Sequence, residues 1–298
     1  MGKSAKILIR RMKSSIKERK GKCRISQKEI MNMFGRKRRK PLRQLITHKE
    51  PKSRITEQYR NIRTNIEFTS VDNHVRSIIV TSADPGDGKT TTIANLAVVF
   101  GQQGKKVLLI GADLRKPTIQ NLFAIHSSNG LTNLLSGQAK LMQCIQKTDI
   151  ENVYLMAAGP IPPNPAELLG SRAMDEALLE AYNMFDIILI DTPPVLAVTD
   201  AQILANKCDG IVLVVRSEKT EKDKIVKAKQ ILDKASGKIL GVMVTVGVGV
   251  GVAVAVGDSV GVRLGVAVML GVDAGLFRSL PFFNMFGRAL HHHDRVVD

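Results

Sequence analysis

Apolar residues along this chain follow two patterns. Continuous runs at Ser77-Ile78-Ile79-Val80-Thr81, Lys106-Val107-Leu108-Leu109-Ile110, Asp186-Ile187-Ile188-Leu189-Ile190, Gly210-Ile211-Val212-Leu213-Val214-Val215 and Ile239 to Val244 predict strands buried on both faces. Between them, helical spacing appears in Thr91 to Gly101, through Ile93, Leu96, Ala97 and Phe100, and a charged helix is expected from Glu221 to Lys234. Upstream, Tyr59, Ile62 and Ile66 interleave with Glu57, Arg60 and Arg63, which predicts an amphipathic helix with Thr56 as its N-cap. Strands alternating with helices imply an α/β fold with a mostly parallel central sheet and helices on both faces. Ligands of such sheets sit at the carboxyl ends of the strands.

At the end of the first strand stands Ala83-Asp84-Pro85-Gly86-Asp87-Gly88-Lys89-Thr90, followed at once by a helix. A strand, a glycine-rich turn and Lys-Thr opening a helix form the P-loop of nucleoside triphosphate-binding proteins, where backbone N–H groups surround a polyphosphate. Asp84, Pro85, Gly86, Asp87, Gly88, Lys89, Thr90 and Thr91 are the candidate nucleotide-binding residues. Gly86 and Gly88 permit close backbone approach, Lys89 neutralises the outer phosphates, and the Thr90 hydroxyl suits a magnesium ion. Ala83 occupies the place of the usual first glycine and is tolerated there if its φ is negative. Phosphoryl transfer from ATP with Mg2+ also needs carboxylates at neighbouring strand ends. Asp191, ending the strand Ile187 to Ile190, takes the Walker B place, and Asp113 follows the strand Val107 to Ile110. Either alone reads equally as a cap or turn residue; beside the loop, Thr90, Asp113 and Asp191 form a candidate metal set.

Charge divides the chain. Residues 1 to 54 account for the whole formal net charge of +17, so the remainder is neutral. Residues 1–45, with Arg36-Lys37-Arg38-Arg39-Lys40 and Phe34 as their only aromatic, read as a solvated tail or an electrostatic tether to anionic lipid or an acidic partner. Nucleic acid is not expected as a partner, because no recognition helix or stacking aromatics accompany the charge. Cys23, Cys144 and Cys208 are far apart and lack metal-ligand spacing, which fits a reducing compartment. The run Ile7-Leu8-Ile9 is too short for a secretory signal, and a cytoplasmic location is expected. Ile239 to Gly257 is uncharged, but alternating Gly and Val argues against a membrane helix. Residues 246–298 are a Gly/Val-rich tail ending near His291, His292 and His293, which lack the further ligands a metal site needs. Pro160 to Pro165 reads as a rigid connector, and Thr199-Asp200 as a helix cap or a phosphate-responsive switch.

Three segments together carry a resemblance: Ala83 to Thr92, Leu108-Leu109-Ile110-Gly111-Ala112-Asp113-Leu114-Arg115-Lys116-Pro117, and Ile188-Leu189-Ile190-Asp191-Thr192-Pro193-Pro194. Over residues 46–245 the chain resembles the bacterial tyrosine kinases (BY-kinases) of capsule and exopolysaccharide synthesis, in their split, cytosolic form. The resemblance implies an autophosphorylating, ATP-dependent protein-tyrosine kinase with Lys89, Asp113, Arg115 and Asp191 as catalytic residues. It further implies a membrane-anchored activator, a polysaccharide co-polymerase whose cytoplasmic end docks near the nucleotide and holds the kinase at the inner face of the plasma membrane. Protein tyrosines are the implied substrates. Glu57-Gln58-Tyr59-Arg60-Asn61-Ile62-Arg63 is similar to a family motif that builds homo-oligomeric rings, with Glu57, Arg60 and Arg63 as its motif residues.

Three departures stand out. Gly111 replaces the first acid of the family's Asp-x-Asp-x-Arg motif, an acid with an implied part in activating the tyrosine hydroxyl. The tyrosine-rich C-terminal cluster of relatives is absent, the three tyrosines being Tyr59, Tyr154 and Tyr182. Thr245 replaces an Asn that is expected to frame the base pocket, and loss of the family pattern after it is what a frameshift gives. Two rival readings follow. One is a catalytically impaired ATP-binding regulatory subunit of the polysaccharide export complex. The other is a P-loop ATPase of the partitioning or septum-positioning type, disfavoured because Asp84 stands where those proteins carry a signature lysine.

Overall fold

The computed structural model describes residues 45–69, 75–217, 219–235 and 237–245. The basic segment 1–45 (save residue 45), the Gly/Val-rich tail, Cys23 and the three terminal histidines lie outside the described residues. Seven strands form one sheet: β1 (Ser77–Ser82), β2 (Val107–Gly111), β3 (Ile145–Lys147), β4 (Val153–Met156), β5 (Ile187–Asp191), β6 (Gly210–Arg216) and β7 (Ile239–Thr245), in the order β3-β4-β2-β5-β1-β6-β7. All pairings are parallel except that of the edge strand β3 with β4. The expected strands are all present; β3 and β4 were not anticipated. Because Ile239–Thr245 is a strand paired to β6, the described part of the uncharged run is not a helix. Among the described residues no helix is long and apolar enough to cross a membrane.

Helices α1 (Ile46–Lys49), α2 (Arg54–Phe68), α3 (Lys89–Gly101), α4 (Leu131–Leu135), α5 (Leu141–Cys144), α6 (Pro165–Gly170), α7 (Arg172–Tyr182), α8 (Asp200–Ala205) and α9 (Lys222–Lys234) cover the sheet. Successive strand residues alternate between its two faces, so each strand feeds two cores. On one face Ile78, Val80, Leu109 and Leu189 meet Ile93, Leu96 and Phe100 of α3 and Tyr59, Ile62 and Ile66 of α2. On the other, Ile79, Leu108, Ile110, Ile188 and Leu213 meet Leu169 of α6, Met174 and Leu178 of α7, Leu204 of α8 and Leu232 of α9. Burial of each such side chain contributes about 1.5–3 kcal/mol, which makes these runs the main stabilising element of the fold.

One helix start differs from the sequence expectation. The amphipathic helix begins at Arg54, with Ser53 as N-cap accepting from the Thr56 N–H at 3.2 Å. Thr56 instead donates its hydroxyl to the Glu50 carbonyl at 2.8 Å. Both are competent capping residues three apart, and the hydrophobic pattern starts too late to choose between them. Helix α3 begins at Lys89, where the Lys-Thr of the phosphate loop is expected to open it. It is apolar nearly all round because α2 and α1 cover the side away from the sheet.

One polar residue interrupts that apolar helix. The buried Asn95 Oδ1 accepts from the Thr47 N–H at 3.1 Å and its hydroxyl at 2.8 Å, and Asn95 Nδ2 donates to the Thr91 carbonyl at 2.8 Å. Removing the amide strands the buried Thr47 N–H, worth about 1–3 kcal/mol when unpaired, and leaves the Thr47 hydroxyl only its 3.4 Å bond to the Asn95 backbone carbonyl. Asn95→Ala is therefore expected to lower unfolding free energy by about 2 kcal/mol in urea titration. A midpoint equal to that of the parent protein would show that α1 is not anchored there.

Candidate active site

From Ser82 the chain turns directly through residues 83–88 into α3, which aims the first turn of the helix at the carboxyl edge of the sheet. Gly86 (φ +83°) and Gly88 (φ +100°, the N-cap of α3) adopt left-handed conformations that cost a side-chain-bearing residue about 1–2 kcal/mol. Ala83 keeps a negative φ, since Ala124 and Asn152 are the only non-glycine residues with positive φ among those described.

The loop is held by contacts that the sequence does not reveal, including those from the cations Arg216, Lys219 and Lys224. Asp87, its carboxylate sealed from solvent, accepts from the Asp84 N–H at 3.2 Å and faces Lys219 Nζ at 3.5 Å. Lys219 also donates to the Pro85 carbonyl at 2.8 Å, Arg216 Nη1 to the Gly86 carbonyl at 3.3 Å, and Lys224 Nζ to Asp84 at 2.9 Å. The Thr245 hydroxyl donates to the Asp87 carbonyl at 2.9 Å. These partners lie 130 to 158 residues away along the chain, and isolated surface cations carry no local signal of such contacts.

The predicted acids converge on the first turn of α3. Lys89 Nζ lies 3.4 Å from Asp113 Oδ2, and the Thr90 hydroxyl donates to Asp191 Oδ2 at 2.9 Å. Asp113 Oδ1 accepts from the Lys116 N–H at 2.9 Å, which fixes its carboxylate. Asp191 is buried, and its Oδ1 has no hydrogen-bond partner among the described residues. Burial pushes its carboxyl up to about 6; Lys89 and the Thr90 hydrogen bond pull it down, and Asp113 pushes it up again. A buried, unused carboxylate oxygen beside a hydroxyl is the oxygen-donor set that a hard cation shared with phosphates requires, so the residues fit magnesium. Thr91 follows in the same turn, and Pro85 is exposed at the lip of the loop.

Arg115 is placed differently from the other candidates. Its Nε and Nη2 donate to the two carboxylate oxygens of Asp200, each at 3.0 Å. Of the pair Thr199-Asp200, Thr199 holds the expected N-cap position of α8, though without a side-chain capping bond, and the Asp200 carboxylate is committed to Arg115.

Gly111, paired with Asp191 across β2 and β5, has lost more than a carboxylate. A Cβ there would lie 2.9 Å from Ile119 Cγ2 and 3.3 Å from the Ala158 backbone nitrogen. Neighbouring packing has closed over the position. Overpacking of this kind costs about 1–3 kcal/mol, so Gly111→Asp is expected to lower the thermal midpoint, and adding Ile119→Ala to recover part of it. A single Gly111→Asp variant as stable as the parent would contradict this packing argument.

In α2, Glu57 and Arg60 pair at the surface. Arg63 turns inward, Nη1 donating to the Val99 carbonyl at 2.9 Å. The free cysteines Cys144 and Cys208 are buried and half-buried, both pushed up by burial, Cys208 to about 12.

Residues 75–233 match the family described as an AAA domain. The chain is 53% identical over 202 residues to the tyrosine-protein kinase YwqD of Bacillus subtilis (strain 168), covering 68% of this chain and 85% of that protein. Its fold is similar to the kinase domain of the Escherichia coli tyrosine kinase ETK, with a TM-score of 0.65 and 30% identity, covering 72% of this chain and 86% of that one. Likeness is lower to the septum site-determining protein MinD of Pyrococcus horikoshii OT3 complexed with Mg-ADP, with a TM-score of 0.50 and 31% identity over 57% of this chain and 69% of that one. A nucleotide-binding P-loop domain with this loop, these strand-end acids and these relatives belongs to the bacterial tyrosine kinases, the BY-kinases.

Proposed function

We infer that this chain is an ATP-dependent protein-tyrosine kinase regulating capsular or exopolysaccharide synthesis and export. The observation that carries this reading is the convergence of Lys89 with Asp113 and of Thr90 with Asp191 in the first turn of α3. In this reading residues 46–245 form the catalytic domain. The loop from Asp84 to Thr91 cradles the triphosphate of ATP, and Lys89 moves from Asp113 to the outer phosphates. Thr90, Asp191 and Asp113 are the residues that would hold Mg2+, which when bound would supply neutralisation of phosphate charge. With no acid at position 111, orientation and charge neutralisation carry the transfer, as a loose transition state permits.

The acceptor is a protein tyrosine. Of the three in this chain, Tyr59 is sealed in the core, so self-phosphorylation falls on the half-buried Tyr154 and Tyr182. Glu57 and Arg60 remain at the surface of α2 for contact with a second copy in a ring, while Arg63 supports α3. A membrane-anchored activator would hold the kinase at the inner face of the plasma membrane. The basic segment 1–45 would add electrostatic attraction to anionic lipid. The second reading, an ATP-binding subunit with little kinase activity, is favoured by Ile119 closing the space beside Gly111.

One experiment separates them. Purified protein is incubated with labelled ATP and magnesium, with and without the activator. Phosphotyrosine supports the kinase, phosphate release alone an ATPase, and binding without either product the regulatory subunit.

A further inference from the structure

The Arg115–Asp200 pair is built unevenly. The Asp200 side chain is fully buried, whereas that of Arg115 is 41% exposed. Both inner nitrogens of the fork, Nε and Nη2, are taken by the carboxylate, and Nη1 makes no hydrogen bond to any described residue. A bidentate pair fixes the plane of a guanidinium as well as its position. The remaining edge is therefore presented in one orientation.

That pair also ties together the two segments that carry the site's acids. Arg115 lies two residues after Asp113 in the chain leaving β2, and Asp200 lies nine residues after Asp191 in the chain leaving β5. Lys116, next to Arg115, is exposed, so two cations stand together beside Asp113. Neither is bound to the phosphate loop, whose own cationic contacts come from Arg216, Lys219 and Lys224.

We propose that Asp200 is a positioning residue that locks Arg115 so that its outer edge, with Lys116, selects acceptor segments carrying acidic residues beside the tyrosine. This rests on the kinase reading above for its chemistry, but not for its binding step. An exposed guanidinium held by a buried carboxylate loses little side-chain freedom when it meets a second anion, which is what a selectivity contact needs.

The test uses two peptides that differ only in having Glu or Gln on either side of one tyrosine. With the full chain at saturating Mg-ATP, the KM of the parent protein is expected to be about fivefold lower for the Glu peptide, the upper range for an exposed ion pair. Asp200→Asn and Arg115→Lys, neither of which can keep the charged bidentate fork, should abolish that preference. The affinity of Asp200→Asn for a fluorescent ATP analogue should stay within about twofold, because the Asp200 carboxylate is committed to Arg115 and not to the loop. In an Arg115→Lys background, Asp200→Asn should add no further loss of preference.

The same comparison is made by anisotropy with labelled peptides, which reads binding even if no phosphotyrosine forms. Failure of the parent to phosphorylate either peptide would sink the kinase reading alone. Equal binding of the two peptides by the parent, or a Glu preference surviving in both variants, would overturn the role of Asp200. Arg115→Lys covers the case in which Asp200→Asn does not fold.

Discussion

Lys89→Ala is expected to reduce affinity for ATP by about thirtyfold or more and to eliminate phosphotyrosine formation. Lys89 is the first residue of α3, and only 12% of its side chain is exposed, so its ammonium acts where water screens it poorly. Loss of one partner from a buried charge pair costs about 2–5 kcal/mol, which spans roughly thirtyfold to several thousandfold in affinity. The fold should survive, because the Asp113 carboxylate keeps the Lys116 N–H and the rest of α3 is held by its apolar contacts. Titration with a fluorescent ATP analogue, an antiphosphotyrosine blot and a thermal melt read these three quantities separately. Retained phosphotyrosine in a folded Lys89→Ala protein would remove the loop from the mechanism. Lys89→Arg should restore little, since a planar fork cannot occupy the place of a compact ammonium.

The parts of this site that were legible in the sequence are those built locally. The loop could be read because strand, glycine turn and helix follow one another without interruption from Ser77 to Gly101. Asp113 and Asp191 were found because each stands at the end of a continuous apolar run. The edge strand β3 and its neighbour β4 are too short for such a pattern: they are three and four residues long, and β3 is not buried. The contacts of Lys219, Arg216 and Lys224 with the loop depend on β6 lying beside β1, a fact of topology that no sequence window contains. The pair Thr199-Asp200 marks a helix start, but the commitment of Asp200 to a partner 85 residues away carries no local signal. The absence of an acid at position 111 was visible, but its packing consequence required the position of Ile119.

Asp191→Asn is expected to separate stability from function. Burial raises the Asp191 carboxyl from 3.8 to about 6, above its value in the unfolded chain, so its ionised form opposes folding of the nucleotide-free protein. The penalty is absent below about pH 4, grows between about pH 4 and 6, and is complete above that, reaching about 3 kcal/mol for a shift of this size. In the asparagine variant this slope disappears. At pH 7.5 the nucleotide-free variant should be the more stable protein by about 1–2 kcal/mol, the gain being reduced because the new Nδ2 replaces Oδ1 where no acceptor waits. The Thr90 hydroxyl can still donate to the amide oxygen, so the first turn of α3 keeps its anchor. Function moves the other way: the magnesium concentration needed to support ATP binding should rise by roughly 10–100-fold. Urea unfolding at pH 4, 5, 6 and 7.5, together with magnesium titration of nucleotide binding, measures both. A variant less stable than the parent at pH 7.5, with the pH slope unchanged, would mean that the carboxylate is not held against its own solvation. A buried acid that costs the empty protein stability and is relieved when a cation arrives couples folding to loading, and it would make the nucleotide-bound kinase more resistant to unfolding than the empty one.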